Sequence, residues 1–180
     1  IAIPIWVPEA QIPALQTARD AGIVIMQYNS GLPVMADTGA INYFGSDEYA
    51  AGLGGGKYLA EKGAKHIVSH IQVPGAINLT ERCRGVTDGA TAAGAKVTVL
   101  ETPPNLDGDV TGTAEAFKAA MIGDPSIDAI ISCADFGAAA AVNAVEQTGA
   151  KLLTGAFDFS PASLDRIKAG TQTMAIDQQP

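Results

Sequence analysis

Asn29, Arg82, Asp135, Asp158, Asp177 and Gln178 all lie in segments that follow apolar, Ile- and Val-rich runs. Their side chains are planar groups, each able to make two hydrogen bonds in fixed directions. A ligand rich in hydroxyls asks for that set, because every hydroxyl both donates and accepts. Carboxylates take the protons, while Arg, Asn and Gln serve the oxygen lone pairs. Any one of these residues alone is as well explained by a turn or a helix cap. Several of them at one edge of a sheet are not.

The elements that must hold them alternate in type. Strands are expected at 2–6, 23–28, 66–71, 96–100, 129–133, 152–157 and 173–176, several of them apolar on both faces. Helices are expected at 8–21, 47–61, 78–93, 110–122, 136–147 and 161–169, most of them stopped by a glycine. Ser46 reads as the cap of the second helix, and Asn78-Leu79-Thr80-Glu81 has the spacing of a capping box for the third. Ser160-Pro161 opens the last. Strand and helix in repeated alternation predict an α/β fold with doubly wound parallel sheets, in which ligands bind beyond the carboxyl ends of the strands.

Composition removes several function classes. With 11 Lys and Arg against 19 Asp and Glu, the net charge is −8 and no basic run exists, so nucleic acid is not an expected partner. No apolar run approaches the roughly 20 residues of a membrane span. Cys83 and Cys133 read as buried free thiols, with a single bridge left open should the compartment be oxidising. No zinc-ligand spacing, G-x-S-x-G elbow or paired His–Ser points to metal, cofactor or hydrolytic chemistry. An enzyme is therefore not expected. The chain opens on Ile and closes on a polar turn straight after an apolar strand, so it reads as a segment of something longer.

Three motifs mimic sites. "GLGGGK" at 52–57 fails the phosphate-loop pattern, with Ala51 in place of the first Gly and Tyr58 after the Lys. Its glycines instead suit a helix lying close to the sheet. "DGDVTGTAEAFK" at 107–118 resembles a calcium loop but carries Lys118 where a bidentate Glu is required, leaving a turn and a helix cap. His66 reads as structural. His70, at the end of its strand, joins the ligand candidates.

The stretches "NYFGSDEYAAGLGGGKYLAEKGAKHI", "ERCRGVTDGATAAGAKV" and "GAFDFSPASLDRIKAGTQTMAIDQQP" together resemble the periplasmic sugar-binding proteins of ABC importers, in the ribose-binding branch, whose core LacI-type repressors share. The resemblance runs through all 180 residues and implies two α/β lobes joined by three crossings, here incomplete. Residues 1–45 would be a remnant of lobe one, 46–178 lobe two, and 179–180 the start of the return to lobe one. It places ligand contacts at Asn29, Arg82, Asp135, Asp158 and Gln178, the last at the second crossing.

Two positions depart from the ribose pattern: Ala134 stands for the usual Asn, and Leu106 for an aromatic that stacks on the sugar. They remain ligand candidates, and they turn the expectation from ribose to another small sugar or polyol. The implied mechanism is binding with hinge closure between the lobes, a permease as partner, no cofactor and no metal. The implied location is the periplasm, or a lipid-anchored extracellular position in a Gram-positive source. The effector domain of a transcription regulator is the alternative.

Overall fold

A computed structural model describes residues 1–178; Gln179 and Pro180, with the expected return towards lobe one, lie outside the described residues. The chain forms β1 (Ala2–Ile3), α1 (Pro8–Asp20), β2 (Met26–Tyr28), α2 (Met35–Thr38) and β3 (Tyr43–Phe44). It continues through α3 (Glu48–Glu61), β4 (His66–Ile71), α4 (Ile77–Ala92), β5 (Lys96–Glu101), α5 (Val110–Gly123) and β6 (Ala129–Ser132). The last elements are α6 (Asp135–Thr148), β7 (Leu153–Phe157), α7 (Pro161–Ala169) and β8 (Met174–Ile176). Two parallel sheets result, one ordered β1-β2-β3 and the other β5-β4-β6-β7-β8.

Strand alternation builds the larger core. Ile67 and Ile131 point to one face of the five-stranded sheet, where Leu59 of α3 and Val86 of α4 meet them. Val68 and Ile130, one residue away on each strand, point to the other face and meet Phe117 of α5 and the alanines of α6. Every residue of β4 is buried, as a central strand covered on both sides requires.

On the first face, α3 and α4 cross with almost no side chain between them. A Cβ at Gly52 or Gly56 would collide with the backbone carbonyl of Arg82 or Val86, and one at Gly85 or Gly89 with that of Tyr49 or Leu53. The two i, i+4 glycine pairs therefore bring backbone against backbone. This corrects the expectation that the glycines of 52–56 face the sheet; only Gly55 does, towards Ile131 and Ile176.

Other local expectations shift for stated reasons. Asp47, not Ser46, caps α3, accepting from the Ala50 amide at 2.9 Å. The Ser46 hydroxyl instead donates to the Gln178 carbonyl at 2.5 Å, tying the link between β3 and α3 to the segment that follows β8. Helix α4 starts at Ile77 with Ala76 as its N-cap, two residues ahead of the expected cap, so Asn78 lies inside its first turn and caps nothing. The Ser160 cap of α7 forms as expected, as a reciprocal box with Ser163. Asp109 caps α5 through the amides of Thr111 and Gly112, which is the turn-and-cap reading of the calcium-like motif.

Candidate functional site

The carboxyl ends of both sheets open towards one cleft. Asn29 follows β2 with φ 60° and Asp158 follows β7 with φ 66°, the two non-glycine residues with positive φ among the described residues. Asn and Asp tolerate this left-handed backbone better than other side chains, and such residues concentrate at functional sites. Each is held by a ladder bond to the neighbouring strand: the Asn29 amide to the Phe44 carbonyl at 2.8 Å, the Asp158 amide to the Ile176 carbonyl at 2.9 Å. Both line one pocket of about 270 Å³ with Phe159, Asp177 and Gln178. The Gln178 side-chain amide donates to the Asp158 carboxylate.

Arg82 forms the wall behind Asp158. It is only 3% exposed. Its Nε donates to Glu48 Oε2 at 2.6 Å and its Nη2 to Oε1 at 3.0 Å, while Nη1 donates to the Cys133 carbonyl at 2.7 Å. Nη1 also lies 4.0 Å from the Asp158 carboxylate, and the guanidinium stacks 4.7 Å from the Phe157 ring centre. Burial works to lower the Arg82 pKa, but the hydrogen bonds and charge of Glu48, with the charge of Asp158, outweigh it and hold the group above its ordinary value. The glycine seam sets this geometry, since Glu48 begins α3 and Arg82 lies on α4.

Asp135 opens α6, where its charge complements the helix amino end, and accepts from Arg166 Nη2 of α7 at 2.9 Å. Arg166 Nε is held in turn by Gln172 at 2.9 Å. Ala134 is the residue before α6, half-buried at the end of β6, and Leu106 is half-buried in a short 3-10 turn after β5.

His70 does not reach the cleft. It is fully buried, with Nδ1 2.9 Å from the Ser132 hydroxyl, Nε2 2.9 Å from the Thr102 hydroxyl, and Phe117 edge-on at 5.0 Å. Burial lowers its pKa to about 4. Register explains the miss, because β6 places Ser132 directly opposite His70 and both ring nitrogens find hydroxyls within the fold. His66 is satisfied in the same way by Ser126 and Thr98.

The structure adds residues that the sequence pattern passed over. Glu48 and Arg166 are the partners of Arg82 and Asp135. Gln72, after β4, and Asn78, one turn before Arg82, each bury a side-chain oxygen with no hydrogen-bond partner among the described residues. Both line a second pocket of about 430 Å³, together with Trp6 and Val7 from the link between β1 and α1. The Ile77 amide donates to the Trp6 carbonyl at 2.9 Å and bridges the two sheets there. Gln72 already lay in a strand-end segment; its signal was a long polar side chain with no helix to cap. A depression of about 550 Å³ at the opposite, amino ends of the strands, near Gly63, Asp128 and Leu152, gathers no comparable set of buried polar groups. Among the described residues no group of three or more His, Cys, Asp and Glu is placed to hold a metal ion.

Two parallel sheets that turn their carboxyl ends to a shared polar cleft define a two-lobed binding fold. The chain belongs to the periplasmic binding protein domain family, whose model matches residues 1–180. Among solved structures it is similar to a carbohydrate transporter from Acidothermus cellulolyticus in complex with myo-inositol, with 33% identity and a TM-score of 0.91 over 100% of this chain and 61% of that one. A glucose-galactose binding protein from Geobacillus stearothermophilus shares the fold at 21% identity and a TM-score of 0.86, over 100% of this chain and 64% of that one. So does a solute-binding protein from Burkholderia graminis in complex with D-arabinose, at 23% and 0.78, over 96% and 60%. The chain thus spans less than two thirds of the length of these relatives. No curated protein matches the sequence.

Proposed function

We propose that this chain is the larger part of a solute-binding component of an ABC importer, and that it holds a small, uncharged sugar or polyol between two lobes. The observation that carries the reading is the convergence of Asn29, Asp158 and Gln178 on one pocket, with Arg82 directly behind. Residues 1–45, with the smaller sheet, are assigned to lobe one and 46–178 to lobe two, the crossings falling near 45–47 and 177–179, the last residue of which lies outside the described residues.

The charges favour a neutral ligand. Glu48 cancels the charge of Arg82, and Arg166 cancels that of Asp135. Asp158 is left as a half-exposed acceptor, so an anionic ligand meets no free cation in the pocket. Each hydroxyl would find an acceptor in Asp158 and donors in Gln178, Asn29 and the remaining edge of Arg82. Ala134 and Leu106 would offer a ligand only apolar surface in place of the polar and aromatic groups of the ribose pattern, in keeping with a ring other than ribose. The myo-inositol held by the relative at 33% identity has this chemistry, and a cyclic polyol is the favoured ligand.

Binding alone, without turnover, is the proposed activity. Closure about the two crossings would bring lobe-one groups onto the ligand, and a membrane permease would recognise the closed form. The family supports a periplasmic or extracellular location. Calorimetric titration of the complete protein with myo-inositol, D-ribose, D-arabinose, D-glucose, D-galactose and a sugar phosphate tests the reading. A neutral member of the panel should bind at micromolar Kd or tighter and be recovered unchanged. Binding of the sugar phosphate alone, or of nothing in the panel, would overturn it.

A further inference from the structure

Behind the cleft wall, Cys83 of α4 and Cys133 at the end of β6 face each other with their sulfurs 3.4 Å apart. The residues are 2% and 1% exposed and are enclosed by Ile71, Ala76 and Leu79. We infer that Cys83 and Cys133 are a modification site, joined as an intramolecular disulfide by thiol–disulfide exchange with a low-molecular-weight disulfide. This bond staples α4 to the β6 loop beside Arg82.

Three features of the structure support the inference. First, the sulfurs already approach inside ordinary sulfur–sulfur contact, so the bond needs about 1.4 Å of closure to the usual 2.0 Å, within the reach of small side-chain rotations. Second, the pair is polarised. The Ser69 hydroxyl donates to the Cys83 sulfur at 2.8 Å, while the Cys133 thiol donates to the Leu79 carbonyl at 3.7 Å. The contact with Cys133 pulls the Cys83 thiol below the ordinary cysteine range, and full burial pushes Cys133 well above it. Third, the bond would link segments that already meet at the site, since Arg82 precedes Cys83 and donates to the Cys133 carbonyl.

The chemistry balances with one oxidant. The thiolate of one cysteine attacks a sulfur of the small disulfide RSSR, and RS⁻ leaves. The other cysteine gives up its proton, attacks the protein-bound sulfur of the mixed disulfide and releases the second RS⁻. Two protein thiols and RSSR become one protein disulfide and two RSH. Because Ile71, Ala76 and Leu79 enclose the sulfurs in the folded chain, exchange proceeds during folding, before these residues close over them. The same seal then excludes reductants.

The complete protein, unfolded and reduced, is refolded in a glutathione redox buffer or in dithiothreitol, alkylated, and analysed by peptide mass mapping. The glutathione sample should contain a Cys83–Cys133 linked peptide, 2 Da lighter than its reduced parts, and no alkylated cysteine. Its Tm should exceed that of the reduced protein by on the order of 10 °C, as a crosslink across about 50 residues implies for a chain of this size. Cys83→Ser should abolish both the linked peptide and the redox dependence of Tm. Two alkylatable thiols after refolding in glutathione, persistent mixed disulfides, or a linked form that melts no higher than the reduced one would overturn the inference. None of these readouts involves a sugar, so they stand apart from the ligand reading.

Discussion

Two nitrogens of Arg82 clasp the Glu48 carboxylate at 2.6 and 3.0 Å, and neither side chain is more than 6% exposed. Removing one partner of such a pair strands a buried charge, whereas removing both need not. Glu48→Gln should therefore lower the unfolding free energy by about 3–5 kcal/mol. The double variant Glu48→Gln with Arg82→Met should recover most of that loss while leaving ligand affinity weak. Urea midpoints and calorimetry separate the two effects. A double variant no more stable than Glu48→Gln would show that the pair is not the source of the cost.

Asp158 combines a left-handed backbone with an acceptor that faces the pocket, and substitutions can separate the two. Asn tolerates the same φ and still accepts from Gln178, but it lacks the charge. Asp158→Asn should leave Tm nearly unchanged and weaken binding of the best sugar or polyol ten- to a hundredfold, about 1.5–3 kcal/mol for a charged hydrogen bond. Asp158→Ala should in addition lose on the order of 1 kcal/mol of stability, because Ala disfavours that φ. Equal affinities for wild type and Asp158→Asn would remove Asp158 from the ligand contacts.

How much of this was legible depended on sequence distance. The strand at 66–71 was read to the residue, because its apolar run and flanking turn signals are local. The two-residue strand Tyr43–Phe44 was not, since two residues carry no period. The end-of-strand rule brought Asn29, Asp158 and Gln178 forward, and the structure does gather them around one pocket. Glu48 stayed hidden because it lies 34 residues from Arg82 and meets it only through the α3–α4 crossing. Asn78 was misassigned for the opposite reason. Its local pattern fits a capping box, but the helix is capped two residues earlier and frees the side chain for the cleft.

Acid should destabilise the fold through His70. Burial holds its folded pKa at about 4, below the ordinary value of 6.5. The unfolded chain therefore binds a proton that the folded chain refuses as pH falls from about 6.5 to 4. His70 costs no stability above that window and about 3 kcal/mol below it. His70→Gln, although less stable at pH 7, should show a shallower loss of stability between pH 7 and 4.5 in urea titrations. Parallel pH profiles for the two proteins would refute a neutral, desolvated His70.

The α3–α4 seam makes site geometry depend on residues that touch no ligand. Gly52 and Gly85 each meet backbone of the opposite helix, so a methyl at either must push the helices apart. Glu48 and Arg82 are carried by those two helices, and their bidentate contact allows little separation. Gly52→Ala or Gly85→Ala should cost about 1–3 kcal/mol of stability through overpacking, and should also weaken ligand binding by displacing Arg82. Gly54, on the same helix, meets nothing within 4 Å. Gly54→Ala should instead stabilise by about 0.5–1 kcal/mol, through helix propensity alone, and leave affinity untouched. If all three variants shifted affinity alike, propagation through α3 as a whole, and not the seam, would be the cause.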